Sequence, residues 1–305
     1  MPWDSKKLND GREIPGLGFG TWKLGNGEGV TNQVDQAISL GLSHIDTAQV
    51  YRNETEAGTA IRESGLARED VFITTKYSGL DGLDVHTSIR NSLDYMGLKY
   101  VDLYLVHSPR LAKPDIPTFW KEMEVIKKQG LVKSIGVSNY DEKDLALLVS
   151  SAKIKPVVNQ ILLHPYVYAR QKPILEFAAE NDIVIEAYSA LLPITSLPGG
   201  PLDTPLNDIA GRLGVTTDQV LLAWTKAKGA VVVTTSSKKS RLEGYLNAGD
   251  LKLTEEDMAA IDAAGALGPP RSCIRNAVLR RLVVVGAVGA ISFAAAALTG
   301  YLSFL

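Results

Sequence analysis

Cysteine is almost missing from this chain of 305 residues, with Cys273 standing alone. One thiol excludes an intramolecular disulfide framework and any cysteine-rich zinc site, and it fits a reducing compartment. An excess of one charge sign is lacking too. The 32 Lys and Arg against 34 Asp and Glu leave a net charge of -2, which gives no electrostatic reason to expect a nucleic-acid partner. Low-complexity runs and charge blocks are absent, so the chain is not a tail or a linker. The amino-terminal stretch "MPWDSKKLNDG" has no apolar core and is not a signal peptide. No cluster of metal-ligand residues at metal spacing is present, so no metal is expected. What the chain does have is 45% hydrophobic and 22% charged composition, enough to bury a large core.

One long uncharged run stands at the carboxyl end. "LVVVGAVGAISFAAAALTGYLSFL", Leu282 to Leu305, is long enough for a helix to cross a bilayer core of about 30 Å. It is apolar all round, unlike a helix that packs one face on a core. Arg271, Arg275, Arg280 and Arg281 precede it and would keep the rest of the chain on the cytosolic side. A tail-anchoring transmembrane helix is the expectation. A barrel-packing helix and a mis-assigned gene end are the competing readings.

Between the two ends the sequence alternates. "KKLNDGREIPGLGFG" opens as a hairpin around a polar "NDG". Short β-branched or apolar runs then follow: "GLGFG", "SHID", "VFITTK", "VDLYLVH", "SIGVS", "VVNQI", "IVIEAYS" and "AVVVTT", separated by segments of helical period such as "VHTSIRNSLDYMG" and "IPTFWKEMEVIKKQG". Gly41, Gly65, Gly97, Gly130, Asn181 and Gly229 end helical segments where a left-handed cap residue is expected. Eight strands with helical material between them predict an α/β fold, a (β/α)8 TIM barrel carrying an N-terminal β-hairpin and a C-terminal hydrophobic helix. The expected organisation is a barrel over residues 1–265, a basic linker over 266–281 and the tail over 282–305. A monomeric barrel is expected.

In such a barrel the chemistry sits where the strands end. Those ends carry Asp46 and, one turn on, Tyr51; then Lys76, His107, Ser138 with Asn139, Gln160, and Tyr188 with Ser189. Singly, each has a plain structural explanation: a strand-end Asp can cap a helix, a Lys–Asp pair can be structural and a lone His can be a satisfied core residue. Jointly they converge on one rim. A tyrosine is a weak acid at neutral pH unless a cation stabilises its phenolate. Lys76 can supply that charge, Asp46 can hold the ammonium, and His107 can donate to a substrate oxygen beside Tyr51. No nucleophile elbow is present, so a hydride from a bound cofactor is the remaining simple attack on a carbonyl carbon.

The motifs "GFGTW", "HIDTAQVYRNE", "ITTK", "LYLVHSP", "IGVSN", "VVNQILLHP" and "EAYSAL", in this order, resemble the aldo-keto reductase superfamily over about Asp10 to Asp262. The resemblance implies a catalytic tetrad of Asp46, Tyr51, Lys76 and His107, with Tyr51 as general acid in the reduction of aldehydes and ketones. It implies that Ser138, Asn139 and Gln160 hold a nicotinamide carboxamide and that Tyr188, with Ser189 beside it, stacks on the ring. Gly20, Thr21 and Trp22 would line the cofactor and substrate mouth, with Trp22, Tyr51 and His107 facing substrate.

"TTSSKKSRLEGYLN" stands near the last strand, where the superfamily usually has Pro-Lys-Ser followed by Arg, Glu and Asn. Ser236, Ser237, Lys238 and Arg241 form an expected pocket for a 2′-phosphate, so NADPH/NADP+ is the expected cofactor. Thr234, Thr235, Gly244 and Tyr245 depart from the usual pattern, and Tyr245 is expected to pack near the adenine. "TTSSK" resembles a fungal branch, the conjugated polyketone and 2-ketoamide reductases, which reduce 1,2-dicarbonyls such as ketopantoyl lactone and isatins. "SPRLAKPDIP" is short for a substrate-closing loop, which predicts an open pocket. Two rivals are weaker: a non-catalytic NADPH-binding regulatory subunit attached to a membrane partner, against which the intact tetrad argues, and a glycosidase using Asp46 and Glu186, against which pairing of Asp46 with Lys76 argues because it would keep Asp46 ionised.

Overall fold

The computed structural model describes residues 3–269. Strands β1 (Lys6–Lys7) and β2 (Glu13–Ile14) form the hairpin, antiparallel with Lys6 opposite Ile14. The remaining strands are β3 (Leu17–Gly20), β4 (His44–Asp46), β5 (Phe72–Tyr77), β6 (Val101–Val106), β7 (Val132–Ser138), β8 (Val158–Leu162), β9 (Val184–Tyr188) and β10 (Val231–Thr234). They pair in parallel in chain order, and β10 returns to β3 to close a barrel. Every predicted strand is present. Their near-continuous runs of Val, Ile and Leu suit strands covered on both faces, as a parallel barrel requires. The hairpin plugs the amino-terminal end: Leu8 and Ile14 are buried in one cluster with Leu103, Leu105, Val157, Val158 and Val231. That leaves the opposite rim open for chemistry.

Helices fill the crossovers: α1 (Glu28–Ser39), α2 (Glu54–Glu63), α3 (Val85–Met96), α4 (Ile116–Lys128), α5 (Glu142–Ser151), α6 (Pro165–Glu180), α7 (Leu192–Thr195), α8 (Asp203–Leu213), α9 (Thr217–Ala227), α10 (Lys239–Asn247) and α11 (Glu255–Ala266). Asp84, Asp115, Asp141 and Thr254 cap α3, α4, α5 and α11 by accepting backbone N–H bonds. Five of the six expected left-handed positions are found, at Gly41, Gly65, Gly97, Gly130 and Gly229. At the sixth, Asn181 stays at φ -110 and the left-handed residue is Asp182, φ 58. Asn181 instead turns its amide back on the helix, donating to the Phe177 carbonyl at 2.9 Å.

Helices α7, α8 and α11 were not visible as periodic segments, α7 being only four residues long. In α8 the first turn holds Pro205, and α11 is an alanine-rich "EEDMAAIDAAGA" with no apolar stripe. Contact with α6 explains α11: a Cβ at Gly265 would sit 2.5 Å from the Pro165 carbonyl oxygen, so only glycine allows the two helices this close. The carboxyl-terminal hydrophobic helix, most of the basic linker and the tail lie outside the described residues. Among the described residues, no helix is long and apolar enough to cross a membrane.

Candidate active site

The strand ends bring the predicted residues together. Gly20 is matched with Asp46 across β3 and β4, Ser138 with Gln160 across β7 and β8, and Leu162 with Tyr188 across β8 and β9. Lys76, at the end of β5, is fully buried; its Nζ donates to Asp46 Oδ1 at 2.6 Å and to the Thr47 carbonyl at 2.9 Å. Burial alone would lower the pKa of this ammonium, but Asp46, with Tyr51 and Glu186 near it, more than offsets that and holds it above the ordinary lysine value.

After Asp46 the chain makes a short 3-10 turn, Gln49–Tyr51, and Arg52 takes a left-handed φ of 57. This turn carries Tyr51 over Lys76, whose Nζ lies 5.2 Å from the phenol ring centroid. The Tyr51 and His107 rings meet edge to face at 5.7 Å. Burial lifts the Tyr51 pKa, and Lys76 pulls against that rise without cancelling it. The phenol therefore holds its proton at neutral pH, which is the state a general acid needs. His107 is driven to a pKa of about 3, first by burial and then by the Lys76 charge, so its ring is neutral.

Residues that the sequence reading did not single out hold this rim. Asn53 Nδ2 donates to the carbonyls of Thr21 and Gly25, while its Oδ1 accepts from Thr21 Oγ1, latching the loop after β3 to the loop after β4. Glu54, buried behind it, accepts from Thr75 at 2.6 Å and Ser92 at 3.2 Å. Asn53 and Glu54 close the stretch "HIDTAQVYRNE" itself, just past Arg52; their inward direction was not readable because Asn53 lies between elements and Glu54 is the first residue of α2, before any period is established. Thr21 belongs to the same latch. It has no exposed surface, and its hydroxyl and both backbone groups are hydrogen-bonded within the protein, so it frames the mouth without lining it.

Gln160 is the hub beneath the site. Its Nε2 donates to Asp46 Oδ2 and to Glu186 Oε2, both at 2.7 Å. Glu186 is fully buried, and burial together with the Asp46 charge lifts its pKa to about 8. A glycosidase needs two carboxyl groups roughly 5–9.5 Å apart with the sugar between them. Here an amide joins the pair inside the barrel, so a sugar has no access.

The wall from β7 to β9 has groups suited to a nicotinamide. Asn139 has a left-handed φ of 63; its amide donates to the His107 carbonyl and to Ser138 Oγ, and its Oδ1 accepts from Tyr188 OH at 2.8 Å. That last bond pins the half-buried Tyr188 ring. Ser138 Oγ in turn donates to the Gln160 carbonyl. Gln160 Oε1 takes no hydrogen bond among the described residues, so it is an acceptor that could serve a carboxamide NH2. Ser189, also left-handed with φ 58, follows Tyr188.

At the start of α10, Ser237, Lys238 and Arg241 are exposed, and Ser236 is half-buried with its Oγ accepting from the Lys238 N–H. Tyr245 is different. It is 3% exposed, and its carbonyl accepts from the Trp3 indole; the side chain belongs to the core. The expected adenine contact is therefore corrected, since a side chain buried in the core leaves almost no surface for a ligand. Trp22, 47% exposed with the Lys23 ammonium 4.0 Å from its ring centroid, stands at the rim.

The sequence model of the aldo/keto reductase family matches residues 16–266. The chain belongs to the aldo/keto reductase family. It is 38% identical over 264 residues to an NAD/NADP-dependent indole-3-acetaldehyde reductase of Schizosaccharomyces pombe, covering 84% of this chain and 91% of that protein. It is 37% identical to a glyoxal reductase of Bacillus subtilis, covering 85% and 92% of the two chains. The crystal structure of an aldo/keto reductase from Brucella melitensis superposes with a TM-score of 0.77 at 36% identity, over 86% of this chain and 99% of that one. As a member of this family the chain is an oxidoreductase of carbonyl and alcohol groups, and the family uses nicotinamide cofactors.

Proposed function

We propose that this aldo/keto reductase is an NADPH-dependent carbonyl reductase in which Tyr51 protonates the substrate oxygen. The observation that carries the reading is the buried chain Asp46–Lys76 beneath a protonated Tyr51, edge to face with a neutral His107. A nicotinamide cofactor bound along Ser138, Asn139, Gln160 and Tyr188 supplies the hydride. Tyr51 and His107 bind the substrate oxygen. As negative charge grows on that oxygen, Tyr51 gives up its proton, and Lys76, held by Asp46, stabilises the phenolate left behind.

Exposed Lys238 and Arg241 beside Ser236 support a 2′-phosphate and hence NADPH over NADH. The glyoxal reductase relative supports 1,2-dicarbonyls as a substrate class, as does the likeness of "TTSSK" to the fungal polyketone and 2-ketoamide reductases. The purified chain offered ketopantoyl lactone, isatin and a simple aldehyde is expected to oxidise NADPH, monitored by the loss of its near-ultraviolet absorbance. One charge-assisted contact is worth about 1.5–3 kcal/mol, so NADPH should be favoured over NADH by at least about tenfold. Equal use of both cofactors would reject the phosphate pocket. NADPH binding without turnover of any carbonyl would favour a regulatory subunit instead.

The proposal extends to the uncharged run 282–305, where length and the preceding arginines support a membrane anchor. Alkaline carbonate is expected to leave the full-length chain in the membrane pellet. Release into the supernatant would reject integral insertion.

A further inference from the structure

Ser78 lies two residues past Lys76, just beyond the end of β5, and was not among the candidates read from the strand ends. Alternation along an extended chain places residues 76 and 78 on the same face, so Ser78 continues the direction that carries Lys76 into the site. Its Oγ lies 3.0 Å from His107 Nδ1 and 3.4 Å from the Lys76 carbonyl oxygen. A hydroxyl has one proton to give. The carbonyl contact is outside the usual O–H···O range of about 2.5–3.0 Å, so the imidazole nitrogen is the better acceptor.

The consequence falls on His107. Its backbone is already held, with the N–H donating to the Tyr77 carbonyl and the carbonyl accepting from Asn139 Nδ2. Only the ring is free to turn or to change tautomer. The ring is neutral, being buried and beside the Lys76 ammonium, and a neutral imidazole carries its single proton on one nitrogen while the other accepts. If Nδ1 carried that proton, Nε2 would present a bare lone pair to a carbonyl oxygen, and the two would repel.

We propose that Ser78 is a positioning residue for carbonyl reduction: its hydroxyl donates to His107 Nδ1 and holds the ring in the tautomer whose Nε2–H is left for the substrate oxygen beside Tyr51. The inference rests on the reductase reading above. It adds a residue that touches neither substrate nor cofactor and acts only through His107. No other hydrogen bond is made by the imidazole among the described residues, so the Ser78 hydroxyl alone sets its donor and acceptor sides.

The test uses the full-length chain labelled with nitrogen-15 at its four histidines, with the His107 signals assigned by their loss in His107→Gln. In the wild type, Nε2 is expected to resonate as a protonated nitrogen and Nδ1 as a hydrogen-bonded lone-pair nitrogen. Ser78→Ala should move the Nδ1 signal towards that of an unbonded lone pair. One neutral hydrogen bond has a net worth near 1 kcal/mol, so kcat/KM for a carbonyl substrate should fall about threefold to tenfold. Ser78→Thr should restore both. A purely structural role would lower the melting temperature without moving the nitrogen signal. A proton found on Nδ1 of the wild type would overturn the proposal, and so would Ser78→Ala with Nδ1 and kcat/KM unchanged. If Ser78→Ala does not fold, the wild-type spectrum still decides. A chain that shows the expected tautomer but reduces no carbonyl would sink the reductase reading alone.

Discussion

Replacing Tyr51 by phenylalanine is expected to lower kcat/KM for carbonyl reduction by about 10²–10⁴-fold, the range that one positioned proton donor contributes. The ring stays, so its edge-to-face contact with His107 and its place over Lys76 are kept. What goes is the proton. Burial keeps the phenol protonated in the resting site, and Lys76, which pulls against that rise, stabilises the phenolate that forms when the proton leaves. Phenylalanine can make neither change. NADPH binding, followed by quenching of tryptophan fluorescence, should be nearly unaltered, because the groups suited to the nicotinamide lie on β7 to β9. Activity within about tenfold of the wild type would remove Tyr51 from its assigned role.

Lys76→Met should cost both activity and stability. Lys76 has no exposed side-chain surface, and its partner Asp46 has 4%. Removing one member of such a pair leaves a buried charge unmatched, at about 3–5 kcal/mol, which lowers the melting temperature by on the order of 10 °C. Catalysis should fall at least as far as in Tyr51→Phe, since the phenolate loses its counter-ion. The double variant Asp46→Asn, Lys76→Met separates the two effects. With the unmatched carboxylate gone, it should regain much of the lost stability and none of the activity. A Lys76→Met protein as stable as the wild type would show that the pair is not held as tightly as its 2.6 Å contact implies.

The strands, the hairpin and most helix caps were readable because they rest on local chemistry. β-branched runs, the "NDG" turn and cap glycines report backbone preferences within a few residues, and eight such runs in alternation leave little besides a closed barrel. Asp46, Lys76, His107, Gln160 and Tyr188 were readable for a related reason. A strand end in a barrel has a fixed destination, so a polar residue there is already placed at the rim. Helix α11 escaped, since its pairing with α6 is set by the small size of Gly265 and not by an apolar stripe.

Direction was harder to read than place. Thr21 and Tyr245 occupy positions where a cofactor contact was expected, yet both side chains turn inward, one to Asn53 and the other into the core with Leu242 and Trp3. Thr21 lies in a loop, which has no period to say which way a residue points, whereas Tyr245 lies on α10 three residues after Leu242, on the same buried face. The lack of a period also hid Asn53 and Ser78, which lie between elements, and Glu54 at the first position of α2, each defined by a partner from a distant part of the chain. The sequence by itself determined the barrel, its family and the residue types that meet at the rim, because strand period and strand order are local and repeated. Only the tertiary structure decided which groups carry protons. Burial holds His107 neutral and Tyr51 protonated, the shared Gln160 amide joins Asp46 to Glu186, and such burial and bonding exist only once all eight strands have closed.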